Sequence, residues 1–348
     1  MTPEEGRALF PVLERLAYLN AGTFGPLARA TAAAVEEQLR SDLQHGRFGK
    51  EYFERMLGLR TEVRAELGAL VGAPPGQVAL TGSTTDGCNI VLAGLGLNPD
   101  DEIVTTREEH FGLLGPMHAS GARVVVVDAD PEAILAAVTP RTRLLALSQV
   151  LWTTGRVLPV RELRERTGVP VLVDGAQSVG AIPVDAAGLD FLTISGQKWL
   201  CGPDSTGALV VAEPERLRVA RPSYFSQKAH EETGSFEPAE GAARFDPGWI
   251  SSAALAGLLA ALRLPPKWRF AAAAAMAERC RELVGRLAEV VPAGSTLVAF
   301  RDDDPPATVA RLAAAGVVVR EIPKTGFVRA SCGWWTNEGD LSRLVEAL

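Results

Sequence analysis

A lysine and an aspartate, each just past an apolar run, carry the clearest chemistry in this chain. Lys198 lies in Asp190-Phe-Leu-Thr-Ile-Ser195-Gly-Gln-Lys198-Trp-Leu-Cys-Gly-Pro203, fenced by glycines and a proline. The chain has five lysines (Lys50, Lys198, Lys228, Lys267, Lys324) against thirty arginines, so arginine is its ordinary cation. A lysine in an apolar, Gly-flanked turn therefore asks for a chemical reason. An amine can lose its proton when desolvated and condense with an aldehyde, which a guanidinium cannot do. Asp174 ends the run Val171-Leu-Val-Asp174-Gly-Ala-Gln177-Ser-Val-Gly180. A lone aspartate there serves as a helix cap or turn former; the alternative is a buried acid that pairs with a cation in a ligand. Lys198 follows at the end of the next apolar run, so acid and amine can face one pocket.

Two further junctions have the same layout. Leu80-Thr-Gly82-Ser-Thr-Thr85-Asp reads as a strand, a Gly/Ser/Thr turn and a helix start. Free N–H groups and hydroxyls at a helix N-terminus suit a phosphate, although Ser and Thr also cap helices that bind nothing. No Gly-Lys-Ser/Thr follows, so this is not a Walker A loop. Glu108-Glu-His110-Phe-Gly follows another apolar run; His110 is either a surface histidine beside acids or an imidazole lying on an aromatic cofactor ring. Read separately, the four features need four explanations. Read jointly they need one ligand, pyridoxal 5'-phosphate, whose phosphate, ring, pyridine nitrogen and aldehyde require these partners.

The elements that position these residues alternate along the chain. Short apolar runs at Val78–Leu80, Ile103–Thr105, Val124–Val127, Leu144–Leu147, Val171–Val173, Phe191–Ile194 and Ala208–Val211 predict seven strands. Helical stretches are expected near 51–71, 84–95, 111–119, 131–138, 160–167 and 178–181. This alternation predicts an α/β fold with a mostly parallel seven-stranded sheet and helices on both faces, with ligands at the carboxyl ends of the strands. Residues 212–250 are polar, rich in Gly, Pro and Glu, and read as a long functional or mobile loop. Helices near 251–263 and 267–291, strands near 295–300, 317–320 and 327–331, and a last helix from Glu338 predict a smaller α+β domain. The expected division is an N-terminal segment 1–20 against the small domain, a large domain over 21–250 and a small domain over 251–348.

Composition excludes several classes. A length of 348 residues suits about two domains. Hydrophobic content of 47% with 22% charge suits a globular chain. The formal charge of −7 offers no footprint for nucleic acid or an anionic membrane. No apolar run reaches the ~20 residues that span a bilayer, and the start lacks a signal-peptide layout. Cys88, Cys201, Cys280 and Cys332 are scattered without a C-x-x-C pair, so zinc and dithiol chemistry have no support and a reducing, cytoplasmic location is expected.

Nearly the whole chain, from Tyr18-Leu-Asn-Ala-Gly to the last helix, resembles the class V aminotransferase family of pyridoxal-phosphate enzymes, of fold type I. Its specific core is Val-Asp174-Gly-Ala-Gln177-Ser-Val-Gly…Asp190-Phe…Ser195-Gly-Gln-Lys198. The resemblance implies that Lys198 forms the Schiff base and Asp174 keeps the pyridine nitrogen protonated. It implies that Gln177 bonds the phenolic oxygen, His110 stacks on the ring, and Thr84, Thr85, Ser195 and Gln197 hold the phosphate. Gln197 stands where the family usually has histidine; an amide still donates to phosphate. Arg329, in Phe327-Val-Arg329-Ala-Ser-Cys332, resembles the arginine that grips the substrate carboxylate, and Arg320 is available for a second carboxylate. A homodimer is implied as well.

Cysteine desulfurases, members of this family, resemble one another in a nucleophilic cysteine just before that arginine. Here Arg320-Glu-Ile-Pro-Lys-Thr-Gly-Phe-Val-Arg329 is short and has none. Together with Val150-Leu-Trp-Thr153-Thr-Gly, this is most similar to the cysteine/cystine C–S lyase branch. The expected reaction is β-elimination from a sulfur amino acid, giving pyruvate, ammonia and a sulfur product, with Thr153 near the substrate. A class V aminotransferase or an isopenicillin-N-epimerase-like enzyme shares the same core, and a scaffold without catalysis is the remaining alternative. Two positions depart from the pattern: Thr153 stands where such lyases have asparagine, and Trp249 where relatives have a threonine that reaches the neighbouring subunit's phosphate.

Overall fold

A computed structural model describes all 348 residues. The chain begins with α1 (Pro3–Arg7), β1 (Ala17–Tyr18), α2 (Arg29–His45) and α3 (Gly49–Val71). The alternating region follows as β2 (Val78–Thr81), α4 (Thr84–Leu95), β3 (Glu102–Thr106), α5 (Phe111–Ala119), β4 (Arg123–Val127), α6 (Pro131–Ala136), β5 (Thr142–Ser148), α7 (Val160–Thr167), β6 (Val171–Asp174), β7 (Phe191–Ser195) and β8 (Gly207–Val211). A hairpin of β9 (Gln227–His230) and β10 (Phe236–Pro238) precedes α8 (Ser252–Arg263) and α9 (Arg269–Val284). The chain ends with β11 (Leu297–Arg301), α10 (Pro305–Ala314), β12 (Val317–Val318), β13 (Arg320–Ile322), β14 (Phe327–Ser331) and α11 (Glu338–Ala347).

All seven expected strands join one sheet in the order β2-β8-β7-β6-β5-β3-β4. Pairing is parallel from β7 to β4, and β8 runs against both β7 and β2. Because β8 opposes both neighbours, β2 and β7 point the same way. The carboxyl ends of β2, β3, β5, β6 and β7 therefore share one edge. Nearly every residue of β2, β3, β5, β6, β7 and β8 is buried, as expected where helices cover both faces. One face packs Val63, Leu67 and Val71 of α3 against Leu80, Leu147 and Val173. The other packs Cys88, Val91, Leu113 and Met117 of α4 and α5 against Ala79, Ala146 and Leu209.

A second sheet, β11-β14-β13, is antiparallel. The N-terminal segment meets it: β1 pairs with β12, Ala17 and Leu19 join Val298, Val328 and Leu341, and Arg7 holds the Asp340 carboxylate with two hydrogen bonds of 2.6 and 2.9 Å.

Two expectations change. Residues 178–181 form a turn, not a helix; Gly180 has φ +88°, and a Cβ there would approach Leu200 and Trp199. The polar region 212–250 contains short 3-10 turns and the β9–β10 hairpin. Helix α8, counted with the small domain on sequence, buries Leu255, Leu258 and Leu259 in the large-sheet core with Val71 and Val210. Its apolar face decides its partner, and we propose that the small domain begins after α8.

Candidate active site

Thr84, Thr85, His110, Asp174, Gln177, Ser195, Gln197, Lys198, Arg320 and Arg329 line one cavity at the shared strand edge, closed by the loop at Gly22–Phe24. Strand ends and the turns and helix starts that follow them supply most of them. Asp174 is the last residue of β6, Ser195 the last of β7, and Lys198 lies in the turn that follows. The N-terminal loop presses on that turn: Gly25 N–H donates to the Gln197 carbonyl at 2.8 Å, and a Cβ on Gly25 would lie 2.1 Å from the Lys198 carbonyl oxygen.

Asp174 is 4% exposed, and its Oδ1 accepts from the Ala176 N–H at 2.8 Å. Burial holds the Lys198 amine below the ordinary lysine range; Arg329 and Arg320 push the same way and Asp174 opposes them. The amine thus gives up a proton more readily than a surface lysine does.

The anion end is built from α4. The Ser83 hydroxyl caps the helix by accepting from the Asp86 N–H at 3.1 Å. Helix geometry leaves the first-turn N–H groups of Thr84 and Thr85 without partners in the helix. Opposite them, the Ser195 hydroxyl donates to Gln197 Oε1 at 2.8 Å. That bond fixes the amide and leaves its NH2 group as a donor. Hydroxyls, amide and helix N-terminus together suit a phosphate.

His110 caps α5 through Nδ1, which accepts from the Gly112 N–H at 3.0 Å. The neutral ring consequently carries its proton on Nε2. Desolvation first, and the cations Lys198, Arg320 and Arg329 after it, hold His110 below its usual pKa, with Asp174 opposing. Trp152 meets the imidazole edge to face, with centroids 5.2 Å apart.

Gln177 donates to the Gly22 carbonyl at 2.8 Å and accepts from the Trp199 indole N–H at 3.0 Å, so one amide hydrogen remains. Arg329 is 1% exposed and donates to the Trp152 carbonyl; burial, and Arg320 after it, push its pKa down to about 9. Its Nε has no partner. Arg320 donates to the Thr23 hydroxyl at 3.1 Å. A Cβ on Gly22 would stand 2.7 Å from Arg329 Nη2 and 3.0 Å from Gln177 Oε1, so any larger residue there must displace the ends of those side chains.

Thr153 does not belong to the cavity wall. Its hydroxyl donates to Glu108 Oε2 at 2.6 Å, and its neighbour Trp152 faces the cavity instead. Trp152–Thr154 form a turn closed by the Gly155 N–H, which donates to the Leu151 carbonyl at 2.8 Å, and within that turn Trp152 reaches the cavity while Thr153 turns to Glu108. Sequence reasoning also passed over Ser148, Trp152, Gly22, Thr23 and the buried Glu109. Two of them carried a signal: Ser148 is the first polar residue after the run Leu144–Leu147, and Trp152 is an aromatic residue just past that strand end. Glu109 was hidden by its exposed-looking neighbours. Trp249 is 61% exposed, stacked at 6.0 Å on Tyr224 and edge-on to Phe225 at 4.8 Å. All four cysteines are buried and unpaired, and none lines the cavity.

Residues 19–309 match the sequence profile of the family described as aminotransferase class-V. The isopenicillin N epimerase of Streptomyces clavuligerus is 31% identical over 262 residues, 68% of this chain and 63% of that protein. The chain thus spans less than two thirds of that relative's length. A solved structure of the cystine C–S lyase C-DES in complex with cysteine persulfide superposes with a TM-score of 0.89 at 28% identity, covering 97% of this chain and 98% of that one. The cysteine desulfurase CsdA from Escherichia coli gives 0.86 at 25% identity, covering 100% and 97%.

Proposed function

From the premise that this chain belongs to the aminotransferase class-V family, we propose that it is a pyridoxal-phosphate lyase that splits the C–S bond of a sulfur amino acid, cystine or cysteine, by β-elimination to pyruvate, ammonia and a sulfur product. The donor set fits the cofactor. Thr84, Thr85, Ser195 and the free NH2 of Gln197 would take the phosphate, Asp174 the pyridine nitrogen, the remaining Gln177 hydrogen the phenolic oxygen, and Lys198 the aldehyde. His110 would pack against the ring. Bound there, pyridoxal phosphate supplies an electron sink for the pair left behind when the Cα proton departs.

The protein's own groups do the rest. Lys198, held below its usual pKa, takes the Cα proton. Arg329 binds the α-carboxylate in its planar fork, and Arg320 takes a second carboxylate. The observation that carries the lyase reading is a cavity with two guanidiniums at the substrate end and no thiol in its wall. A desulfurase needs a cysteine that can reach the substrate sulfur; β13 and β14 are joined here by a tight turn without one. Two carboxylate sites suit cystine, which carries one at each end.

Purified protein loaded with pyridoxal phosphate and given cystine or cysteine should release pyruvate and ammonia with no keto-acid acceptor. Pyruvate that appears only with an acceptor would sink the lyase reading. The alignment with isopenicillin N epimerase supports a second reading, an epimerase or aminotransferase on the same core. Loss of chirality at Cα without pyruvate release would favour the epimerase. Exposed Tyr224 and Trp249, packed together with Phe53 and Phe225, form an apolar patch that supports a homodimer, and sedimentation would measure it. No helix is long and apolar enough to cross a membrane. The free, buried thiols support a reducing, cytoplasmic setting.

A further inference from the structure

We propose that Glu109 is a positioning residue for the bound cofactor, tying the loop that carries His110 to the strand end beside Asp174; the inference rests on the cofactor reading above. Glu109 is 4% exposed although it lies in a loop. Its Oε1 accepts from the Thr106 hydroxyl at 3.0 Å and the Ser148 N–H at 3.1 Å; its Oε2 accepts from the Ser148 N–H at 3.1 Å and from the Ser148 hydroxyl. Ser148 ends β5 and stands directly opposite Asp174 in the β5–β6 register. His110 is the next residue, and its ring is set by its own cap bond. One short path of contacts thus runs from the Asp174 strand through Ser148 and Glu109 to His110.

A buried carboxyl in a loop carries a large desolvation cost, which structural need alone would avoid with a glutamine or an apolar residue. No lysine or arginine pairs with Glu109; its charge is met only by hydroxyl and amide donors. Its neighbour Glu108 turns to Thr153, Thr154 and Arg156 instead. The titratable groups that feel Glu109 are Asp174 across the β5–β6 pair and Cys88 on α4. Burial pushes Glu109 up to about 7, against the pull of the Ser148 and Thr106 bonds. Its charge therefore changes near neutrality beside the acid that faces the cofactor. Ser148 gives its only hydroxyl proton to Glu109 and so presents lone pairs alone to the cavity.

The test compares Glu109→Gln, Ser148→Ala and the unmodified protein. Each is loaded with pyridoxal phosphate and titrated from pH 6 to 10 by the visible absorbance of the bound cofactor, with cofactor affinity measured by equilibrium dialysis. Removing the Glu109 charge should move the midpoint of the absorbance change down by about half a unit and weaken cofactor binding about tenfold, the scale of a lost hydrogen bond to a charged group. Ser148→Ala should move the midpoint the same way by less. A Glu109→Gln protein with a lower melting temperature but unmoved midpoint and affinity would show a purely structural role and overturn the proposal. If Glu109→Gln does not fold, an unmoved midpoint in Ser148→Ala overturns it. Absence of cofactor uptake by the unmodified protein would sink the cofactor reading itself, and this inference with it.

Discussion

Arg320 and Arg329 face each other directly across the antiparallel β13–β14 pair, and both reach the same cavity. Like charges opposite one another in a sheet are destabilising. Here the repulsion appears as the lowered pKa of Arg329, to which Arg320 contributes after burial. A pair of guanidiniums held together against repulsion is relieved by bound carboxylates.

The two arginines should therefore separate substrates. Arg320→Ala is expected to lower kcat/KM for cystine about tenfold or more, and to change little for an S-alkyl cysteine with one carboxylate. Arg329→Lys should impair both, because an ammonium cannot replace a bidentate fork. Steady-state kinetics on the two substrates measures the split. Equal losses for Arg320→Ala on both would refute the assignment of a second carboxylate.

Gly22 tests the same region sterically. A methyl group at this position would stand 2.7 Å from Arg329 Nη2, so Gly22→Ala must displace the guanidinium or the loop. The expected result is a raised KM with little change in melting temperature, since the strain falls on the cavity wall and not on a core cluster. A KM equal to that of the unmodified protein would show that Arg329 does not contact substrate.

The turn before α4 depends on a distant acid. Asp246 is 1% exposed; its Oδ2 accepts from Arg60 and Arg64, and its Oδ1 accepts from the Leu80 N–H at 3.0 Å, in the strand leading to Thr84. Asp246→Ala leaves two guanidiniums without their partner, which costs on the order of 3–5 kcal/mol. Chemical denaturation should register that loss, and cofactor affinity should fall as β2 loosens. Unchanged stability would mean that solvent replaces the carboxylate.

Stability should also depend on pH through Glu109. The folded state holds its proton up to about 7, above the ordinary 4.5, so it binds more protons than the unfolded chain between those values. Stability from this group is greatest at and below the ordinary value and declines as pH rises towards 7, by on the order of 2–3 kcal/mol. Urea midpoints of the cofactor-free protein at pH 5 and 7.5 should show the decline, and Glu109→Gln should flatten it. Parallel curves for the two proteins would remove Glu109 as the cause.

Much of the site was legible because it lies on strand ends. Near-continuous apolar runs mark buried parallel strands, and the first polar residue after each run must sit at the carboxyl edge, so Asp174, Ser195 and Lys198 could be placed beforehand. Helix α4 was equally legible from its Ser83-Thr84 start. Helix α2 was not, because its apolar residues Leu39 and Leu43 stay exposed and its sequence carries no clear period. The turn at 178–181 was misread because a short Gly-containing segment has too few residues to show a helical period.

The amino-acid sequence by itself determined the strand and helix order, the phosphate-suited turn at Thr84–Thr85, and an acid and an amine at adjacent strand ends. All are local: each depends on residue type, spacing and a few neighbours. The tertiary structure alone decided that Arg320 opposes Arg329, that Gly22 from the N-terminal loop closes on them, that Thr153 turns to Glu108 while Trp152 faces the cavity, and that Glu109 is buried against Ser148. Those relations join residues distant in sequence, through strand register and through burial that residue type alone does not predict. The physical reason is that burial and contact depend on what the rest of the chain lays over a residue, and the desolvation that lowers Lys198 and raises Glu109 exists only once that covering is in place.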